Sequence, residues 1–227
     1  MSSFLKKYKD TFISLLFAVA LFFFILTFSI SLPIYCRPFY YAHIDSMNLS
    51  EESGFTKEEI IEAYDAVLDY LTIPDKEFSS GVMKYSPEGE SHFADCKALF
   101  NLNATVLLSS AVCILILLIL RKTGKTAPFL IGKHQASFYS ALAAVLLPII
   151  IGSIAALDFD KAFEVFHRIF FPGKTNWTFN PRTDEIIEIL PQEFFMNCAI
   201  LIGISILLFS GILILIDGLR TRKNRRL

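Results

Sequence analysis

The sequence predicts an all-α integral membrane protein with four transmembrane helices and a small extracellular cap. The first observation is a set of four apolar blocks, each 19 to 23 residues long and free of charged side chains: residues 11–32, 102–120, 136–157 and 194–216. A helix needs about 20 predominantly apolar residues to cross the hydrocarbon core of a bilayer. The second is the composition, since 54% of the residues are hydrophobic and the mean hydropathy is +0.52. We therefore expect residues 1–227 to form a single membrane domain.

The third observation is the distribution of lysine and arginine between the blocks. The first ten residues carry a net charge of +2, whereas the linker 121–135 and the tail from Asp217 each carry +4. Segments 33–101 and 158–193 carry −8 and −3. Because cytoplasmic loops carry an excess of lysine and arginine, we expect both termini and the linker in the cytoplasm. The cap, built from 33–101 and 158–193, is then extracellular.

The first block is predicted to be a retained membrane anchor. Lysines precede it, as they do in a signal peptide, but its 22 residues exceed the roughly 7–15 of a cleavable apolar region. The basic runs adjoin the membrane and lack interleaved aromatic residues, so we expect no nucleic-acid partner.

The first outer segment, 33–101, contains a predicted helix. Thr56 and Glu59 have the spacing of a capping box, and apolar residues follow at helical intervals: Ile60, Tyr64, Val67, Leu68 and Leu71. A turn is expected at Pro87–Gly89. The helix of the second span is expected to begin near Ser91.

The second outer segment, 158–193, is rich in aromatic residues. Four phenylalanines spaced 4, 3 and 4 residues apart share one face of a predicted short helix: Phe159, Phe163, Phe166 and Phe170. Pro172–Gly173 is expected to end this helix, residues 183–191 to form a second short helix, and Pro191 to open the fourth span. Trp177, the only tryptophan, suits an interfacial anchor and the wall of a site equally well.

Two of the four histidines, His92 and His167, are the candidate catalytic residues. Both are expected near the same membrane face, in different outer segments, and histidine is the commonest general base at neutral pH. The alternative is that each makes hydrogen bonds at a helix end. His43 and His134 have no clear motif, and His134 is expected to be an interfacial residue.

The sequence lacks the common patterns of other catalytic sites. Ser91 and His92 are helix neighbours and do not face each other, and no GxSxG or HExxH motif occurs. An HxxxxD motif starting at His92 would need aspartate where Lys97 stands.

Without a CxxC pair we expect no metal site, while a disulfide between Cys36 and Cys96 stays open. Among the outer cations, Arg168 is expected to interact with headgroups, and Lys174 and Arg182 to be solvated.

The motifs "SHFADCK", "FEVFHRIFFPGKTNWTFNP" and "DEIIEILPQEFF", together with the third span, resemble the lipoprotein intramolecular transacylases of Gram-positive bacteria. The resemblance covers nearly the whole chain. It rests on the order and spacing of short motifs. The family's usual form of the first motif is HxxDVK, and Cys96 stands here where valine is usual.

The resemblance implies transfer of the sn-2 acyl chain of a diacylglyceryl anchor to the α-amine of the lipoprotein's own N-terminal cysteine. It implies His92 and His167 as catalytic residues, with His92 preferred as the base toward the amine. The remaining candidate residues would bind the substrate: Asp95, Lys97, Phe163, Phe166, Arg168, Phe170, Trp177 and Asn180. No cofactor is expected. The partners would be the diacylated lipoprotein and membrane lipids, and the enzyme would act as a monomer at the extracellular face of the cell membrane.

Two other functions stay open from the sequence. One is a non-catalytic lipid-binding or envelope protein, in which the histidines are helix-end polar groups. The other is an acyltransferase that takes its acyl chain from free phospholipid. The lipid-binding protein does not require the two histidines to face a common lipid-accessible cavity, whereas a transacylase does. The phospholipid-dependent enzyme would work with free phospholipid as the only acyl donor.

Overall fold

The structure is a computed structural model that describes residues 3–224. The first two residues and the last three, which include two arginines of the basic tail, lie outside it. Within the described residues, the regular secondary structure is helical apart from one two-stranded hairpin, in agreement with the predicted fold class. Its helices are α1 (Ser3–Tyr35), α2 (Arg37–Ser46), α3 (Leu49–Ser53), α4 (Lys57–Thr72), α5 (Pro87–Lys122), α6 (Ala136–Ala155), α7 (Phe159–Phe170), α8 (Ile186–Ile189) and α9 (Gln192–Asn224).

Within the described residues, four helices are long and apolar enough to cross a membrane. They are Tyr8–Tyr35 of α1, all of α5, all of α6 and Gln192–Lys223 of α9. Each contains one of the four predicted apolar blocks, except that α6 ends at Ala155, two residues before the end of the block. The difference has a local cause, because Asp158 already has an extended backbone and caps the next helix.

The chain divides into two compact units. One consists of residues 1–30, 104–153 and 202–227, and the other of 31–103 and 154–201. In the first unit, Ile25, Ala144 and Ile206 form a buried cluster, and the hydroxyl of Ser140 donates to the carbonyl oxygen of Ala18 at 2.7 Å. This unit also holds the hairpin, β1 (Leu130–Ile131) paired antiparallel with β2 (His134–Gln135).

The hairpin of the first unit involves His134, which was predicted to be an interfacial residue. Its Nδ1 lies 2.5 Å from the carboxylate of the buried Asp217, and that carboxylate also accepts the backbone N–H of Gln135 at 2.7 Å. These two contacts with the carboxylate fasten the hairpin to α9. The predicted linker therefore has a fixed structure, which composition did not indicate.

The second unit has its own core around α4. The capping box of Thr56 and Glu59 is present, as predicted, and the predicted apolar face of α4 is buried. Tyr40 of α2 stacks on Tyr64 with ring centroids 3.6 Å apart. Its hydroxyl donates to the carbonyl oxygen of Ile189 in α8 at 2.8 Å. These contacts join α2, α4 and α8 into a scaffold.

The predicted turn at Pro87–Gly89 is wrong, because α5 begins at Pro87. Proline suits the first helical position, where its missing N–H would have no intrahelical partner. The hydroxyl of Ser86 accepts the N–H of Gly89 at 3.0 Å and donates to the carboxylate of Asp184 at 2.7 Å. Gly89 is needed for close approach rather than for a turn, since a Cβ there would clash with Asp184. This anchor starts α5 one turn earlier than Ser91.

Candidate active site

His92 lies on the buried face of α5, one and a half turns after the helix begins. Its side chain is only 5% exposed. The rings of Phe171 and Phe179 meet it edge-on, with centroids 4.9 and 5.5 Å away. Because α5 is anchored at Ser86, the position of the His92 ring depends on the start of the helix as well as on these aromatic neighbours.

His167 lies in the last turn of α7. The carboxylate of Asp158 caps the start of this helix by accepting the N–H of Lys161 at 2.9 Å, and the helix ends before Pro172–Gly173, as predicted. His167 is 7% exposed, and its ring centroid lies 5.8 Å from that of His92. The two candidate histidines are thus brought together from separate outer segments.

The hydrogen bonding of His167 fixes its neutral tautomer. Nδ1 lies 2.8 Å from the carbonyl oxygen of Phe163, one turn earlier in α7. A carbonyl oxygen only accepts, so Nδ1 must carry the proton, and Nε2 is left with its lone pair. Nε2 of neutral His167 is therefore a hydrogen-bond acceptor and a base.

Electrostatics keep His167 neutral at ordinary pH. Burial lowers the pKa of His167 below its usual value of 6.5, and the bond to the Phe163 carbonyl opposes this shift only in part. Two imidazolium rings at this separation would also repel each other. The pair is therefore suited to hold at most one extra proton at a time.

Aromatic rings enclose the two histidines. Phe163 lies 4.4 Å from the His167 ring centroid, and Trp177 stacks on His167 at 4.9 Å with an interplanar angle of 29°. Trp177 thus lies against a candidate catalytic ring, one of the two positions that the sequence left open. Such a lining excludes water and strengthens the electrostatic interactions inside.

Residues 171–177, which we name the strap, are fastened to α5 by polar contacts. Lys174 forms an ion pair with Asp95, and the amide nitrogen of Asn176 donates to the same carboxylate at 3.1 Å. The indole N–H of Trp177 donates to the carbonyl oxygen of Lys174 at 2.9 Å. The strap therefore holds Trp177 against His167, and Asp95 anchors the strap rather than contacting His92 by a hydrogen bond.

Cys96, the departure from the family's usual motif, lies one helical turn after His92. Its sulfur is 3.4 Å from Nε2 of His92, and a thiol S–H is a weak donor. Nδ1 of His92 is buried and has no hydrogen-bond partner among the described residues. All four cysteines are free thiols, so the disulfide left open by the sequence is not formed.

Other candidate residues lie at different distances from the histidines. Phe166 contacts the His167 ring edge-on at 5.5 Å and is 46% exposed. Phe170 packs on Phe166 at 4.6 Å and is 49% exposed. These two rings border the aromatic enclosure and leave much of their surface open.

Three candidates have partners away from the two histidines. Lys97 lies over the ring of Tyr70 at 4.3 Å from its centroid, and Arg168 pairs with Glu164 on the exposed side of α7. The side-chain oxygen of Asn180 accepts the backbone N–H of Arg182 at 3.1 Å. In this structure Asn180 shapes the loop after the strap, and the two cations lie on other faces of their helices.

Several residues of the site were missed from the sequence. Lys174 was expected to be solvated but pairs with Asp95, and Asn176, Phe171 and Phe179 were given no role. The available signal was their position, because all lie within twelve residues after His167, in the segment that carries Trp177. A short loop that follows a buried histidine is expected to pack over the histidine ring.

The arrangement suits proton transfer within a water-poor aromatic site. It offers two imidazoles, one with its basic nitrogen free. Among the described residues, neither a serine hydroxyl nor a thiol donates a hydrogen bond to Nε2 of His167, since the thiol of Cys96 contacts His92 instead. No cluster of three histidine, cysteine, aspartate or glutamate side chains suited to a metal ion occurs within residues 3–224.

Comparison with known proteins gives concordant matches. A family model described as lipoprotein intramolecular transacylase Lit matches residues 15–195. A solved structure of the membrane integral lipoprotein intramolecular transacylase Lit from Bacillus cereus matches with a TM-score of 0.84 and 27% identity, covering 97% of this chain and 99% of that one. A variant of that protein with one histidine replaced by alanine matches with a TM-score of 0.79 and 26% identity, covering 99% of each chain.

One curated relative also matches in part. An uncharacterized protein of Aquifex aeolicus is 30% identical over 95 residues, which are 42% of this chain and 43% of that protein. The match thus spans less than half the length of that relative. The family assignment rests on the match to residues 15–195 and on the solved structures.

Proposed function

The chain belongs to the lipoprotein intramolecular transacylase family, and on that premise we propose that it moves the sn-2 acyl chain of a diacylglyceryl lipoprotein anchor to the α-amine of the same lipoprotein's N-terminal cysteine. The product is an N-acylated, lyso-form lipoprotein. The observation that carries the proposal is the pair of buried imidazoles 5.8 Å apart inside an aromatic enclosure. Attack of an amine on an ester within one molecule needs a proton acceptor and a proton donor, but no covalent nucleophile.

His167 is the base in this reaction. Its Nε2 is free to accept a proton from the amine as the amine nitrogen bonds to the ester carbonyl carbon. This differs from the preference derived from the sequence, which gave the base role to His92. The tautomer of His167 supports giving the base role to this residue, because a proton held on Nδ1 by the Phe163 carbonyl leaves the second nitrogen basic.

His92 then acts as the donor. If its Nε2 accepts the Cys96 S–H, the proton of neutral His92 lies on Nδ1, the buried atom without a partner. That N–H would stabilise the oxyanion that develops on the carbonyl oxygen. When the bond from the carbonyl carbon to the sn-2 oxygen breaks, a proton from the histidine pair goes to that oxygen. The amine loses one proton and the alcohol gains one, so the site returns to its starting charge.

The aromatic rings and the strap would hold the two ends of the substrate together. Pre-orientation of reacting groups contributes about 7–11 kcal/mol to well-oriented intramolecular reactions. Phe163, Phe166, Phe170 and Trp177 are the proposed contacts for the acyl chains and the glyceryl group. The remaining proposed contacts, Asp95, Lys97, Arg168 and Asn180, act through the strap or lie farther from the reacting atoms.

The function is tested by incubating the purified chain with a diacylated lipopeptide as the only acyl donor and acceptor. Mass spectrometry of the product should show an unchanged total mass, with one acyl chain moved to the amine. The two alternatives predict other outcomes. A lipid-binding protein leaves the lipopeptide unchanged, and a phospholipid-dependent acyltransferase adds an acyl chain only when phospholipid is supplied.

The reaction rate is expected to depend on pH through His167. The attacking α-amine itself titrates at about pH 7.7–8.0, so each rate is divided by the neutral fraction of the amine. Because burial lowers the pKa of His167 below 6.5, this corrected rate should stay above half its maximum down to pH 6.5. At lower pH protonation removes the basic Nε2, and the corrected rate should fall further. Initial rates on the lipopeptide between pH 5 and pH 8, roughly the range over which histidine titrates, measure this. A corrected rate that already halves above pH 6.5 would contradict a neutral buried base.

This multi-pass membrane protein is proposed to have both termini in the cytoplasm and its active site at the extracellular face. The support is the charge distribution, with cations concentrated at the termini and in the linker 121–135. Cysteine substitutions at Lys57 and Lys125 test it in intact cells, after removal of the exposed Cys36. An impermeant thiol reagent should label position 57 and spare position 125. Labelling of position 125 alone would invert the proposed topology.

A further inference from the structure

Asn176 of the strap has an amide group whose orientation is fixed. Its side-chain nitrogen lies 3.1 Å from the carboxylate of Asp95 and 3.4 Å from the hydroxyl of Ser91. An ionised carboxylate only accepts hydrogen bonds, so the NH₂ end of the amide must face Asp95. The carbonyl oxygen, Oδ1, necessarily points the other way. Asp95 therefore acts on this oxygen as a positioning residue.

The Oδ1 atom of Asn176 is buried and has no hydrogen-bond partner among the described residues. A buried acceptor without a donor is costly, and such atoms in folded proteins call for an explanation. Here the explanation is local. Ser91, which contacts the amide nitrogen, precedes His92, and Trp177, which follows Asn176, stacks on His167. Asn176 thus contacts the residue before His92 and is itself followed by the residue that stacks on His167. Its unpartnered oxygen therefore belongs to a residue that is linked to both histidines.

The substrate chemistry identifies the missing donor. This step rests on the proposed function. The two esters of a diacylglyceryl group and its thioether only accept hydrogen bonds. Among the reacting groups, only the α-amine offers N–H donors, and it has at least one beyond the proton that His167 would take.

We propose that Oδ1 of Asn176 binds the attacking α-amine of the substrate. The amine is then held by two acceptors, Oδ1 of Asn176 and Nε2 of His167, which together turn its lone pair toward the ester carbonyl carbon. Asn176 is thereby the residue by which the site distinguishes a free amine from a blocked or absent one. Asp95 maintains this selectivity by keeping the amide from rotating.

The experiment uses two lipopeptides that cannot react, because an ether replaces the sn-2 ester. One carries the free α-amine and the other carries hydrogen in its place. Dissociation constants of both are measured on the full chain in nanodiscs at pH 8, about where an α-amine is half neutral. The wild type should bind the amine-bearing ligand more tightly, and a hydrogen bond of ordinary strength to Oδ1 of Asn176 contributes about three- to tenfold of that preference. Asn176→Ala and the volume-preserving Asn176→Leu should both lower the preference by this factor and leave only the part that Nε2 of His167 contributes.

Lys174→Ala is the matched control for damage to the strap. It removes the other contact between the strap and Asp95 but leaves the amide of Asn176 in place, so it should weaken both ligands equally and keep their ratio. An undiminished preference in both folded Asn176 variants would overturn the proposal, as would an equal decrease of the preference in Lys174→Ala. Conversion of the sn-2 ester substrate by the wild type is measured in parallel. Failure of that conversion, with the amine preference still present, would reject the proposed reaction and leave the amine site standing.

Discussion

Replacing His92 or His167 by alanine is expected to lower the rate of acyl transfer by about 10²- to 10⁴-fold, the range typical of general acid–base residues. Each variant leaves one imidazole, which cannot both accept the amine proton and stabilise the developing oxyanion. The rate is measured as appearance of the N-acylated lipopeptide by mass spectrometry. Melting temperature is recorded on the same samples, because both rings are buried and their loss leaves space within the enclosure.

The double variant should react only slightly more slowly than the slower single variant. Residues that act as a unit in one transition state give strongly non-additive losses. Two histidines that acted in separate steps or merely supported the fold would give losses that multiply. The double variant therefore tests whether the pair is one catalytic device.

His43→Ala is the matched control for the histidine substitutions. His43 lies in α2, is half-buried, and contacts the backbone carbonyl of Phe39 one turn earlier at 2.6 Å through Nδ1. This is the same local interaction that His167 makes with Phe163. The control should therefore reproduce the local structural cost without changing the rate per folded molecule. Near-wild-type rates in both His92→Ala and His167→Ala would remove the histidine pair from the mechanism.

The long apolar elements of the fold were predictable from the sequence because they depend on composition alone. Three of the four uncharged blocks lie within a helix, and the fourth, 136–157, extends two residues beyond α6. The capping box at Thr56 gave the start of α4 correctly. The start of α5 was not predictable in the same way. It depends on Asp184, almost a hundred residues away, which holds Ser86 and leaves no room for a side chain at Gly89.

The pairing of two histidines in the candidate site was predictable from the sequence, but its hydrogen bonds were not. His92 and His167 stood out because both were expected near the same membrane face and histidine is the commonest general base at neutral pH. The partners of Asp95 were hidden, since the sequence offered this residue only as a substrate-binding candidate. Only the tertiary structure brings Lys174 and Asn176 to that carboxylate.

The base assignment shows a second limit of sequence reasoning. Which nitrogen of His167 carries the proton depends on a single contact with the carbonyl of Phe163. That contact follows from the side-chain rotamer, which the 3.6-residue period does not specify. The sequence offered two candidate bases, and the contact with Phe163 leaves Nε2 of His167 as a hydrogen-bond acceptor.

Replacing Trp177 by leucine is expected to slow acyl transfer by about 10- to 100-fold, because small displacements of reacting groups can cost that much. The indole stacks on His167 and is tied to the strap through its N–H and the carbonyl of Lys174. Leucine removes both the stacked surface and the bond. His167 would then have more freedom, and water would reach its basic nitrogen more easily.

Trp177→Phe separates the contribution of the ring stacked on His167 from that of the indole N–H bond to the Lys174 carbonyl. Phenylalanine keeps an aromatic face for His167 but cannot donate to the Lys174 carbonyl, so its rate should lie between those of the wild type and the leucine variant. Phe166→Leu is the aromatic comparison. Phe166 meets His167 edge-on at 5.5 Å and is nearly half exposed, so its loss should have a smaller effect than that of the stacked indole.

A stability measurement decides whether Trp177 acts on the site or on the fold. Ile60→Ala serves as the reference for core damage, because Ile60 is fully buried in the core around α4 and such truncations cost about 2–5 kcal/mol. Trp177 is only partly buried, in a strap that Asp95 already anchors through Lys174 and Asn176. Its leucine variant should therefore melt close to the wild type, well above Ile60→Ala, while reacting more slowly. A large fall in melting temperature with an unchanged rate per folded molecule would instead make the indole a structural residue of the second unit, and the stacking on His167 would then have no part in catalysis.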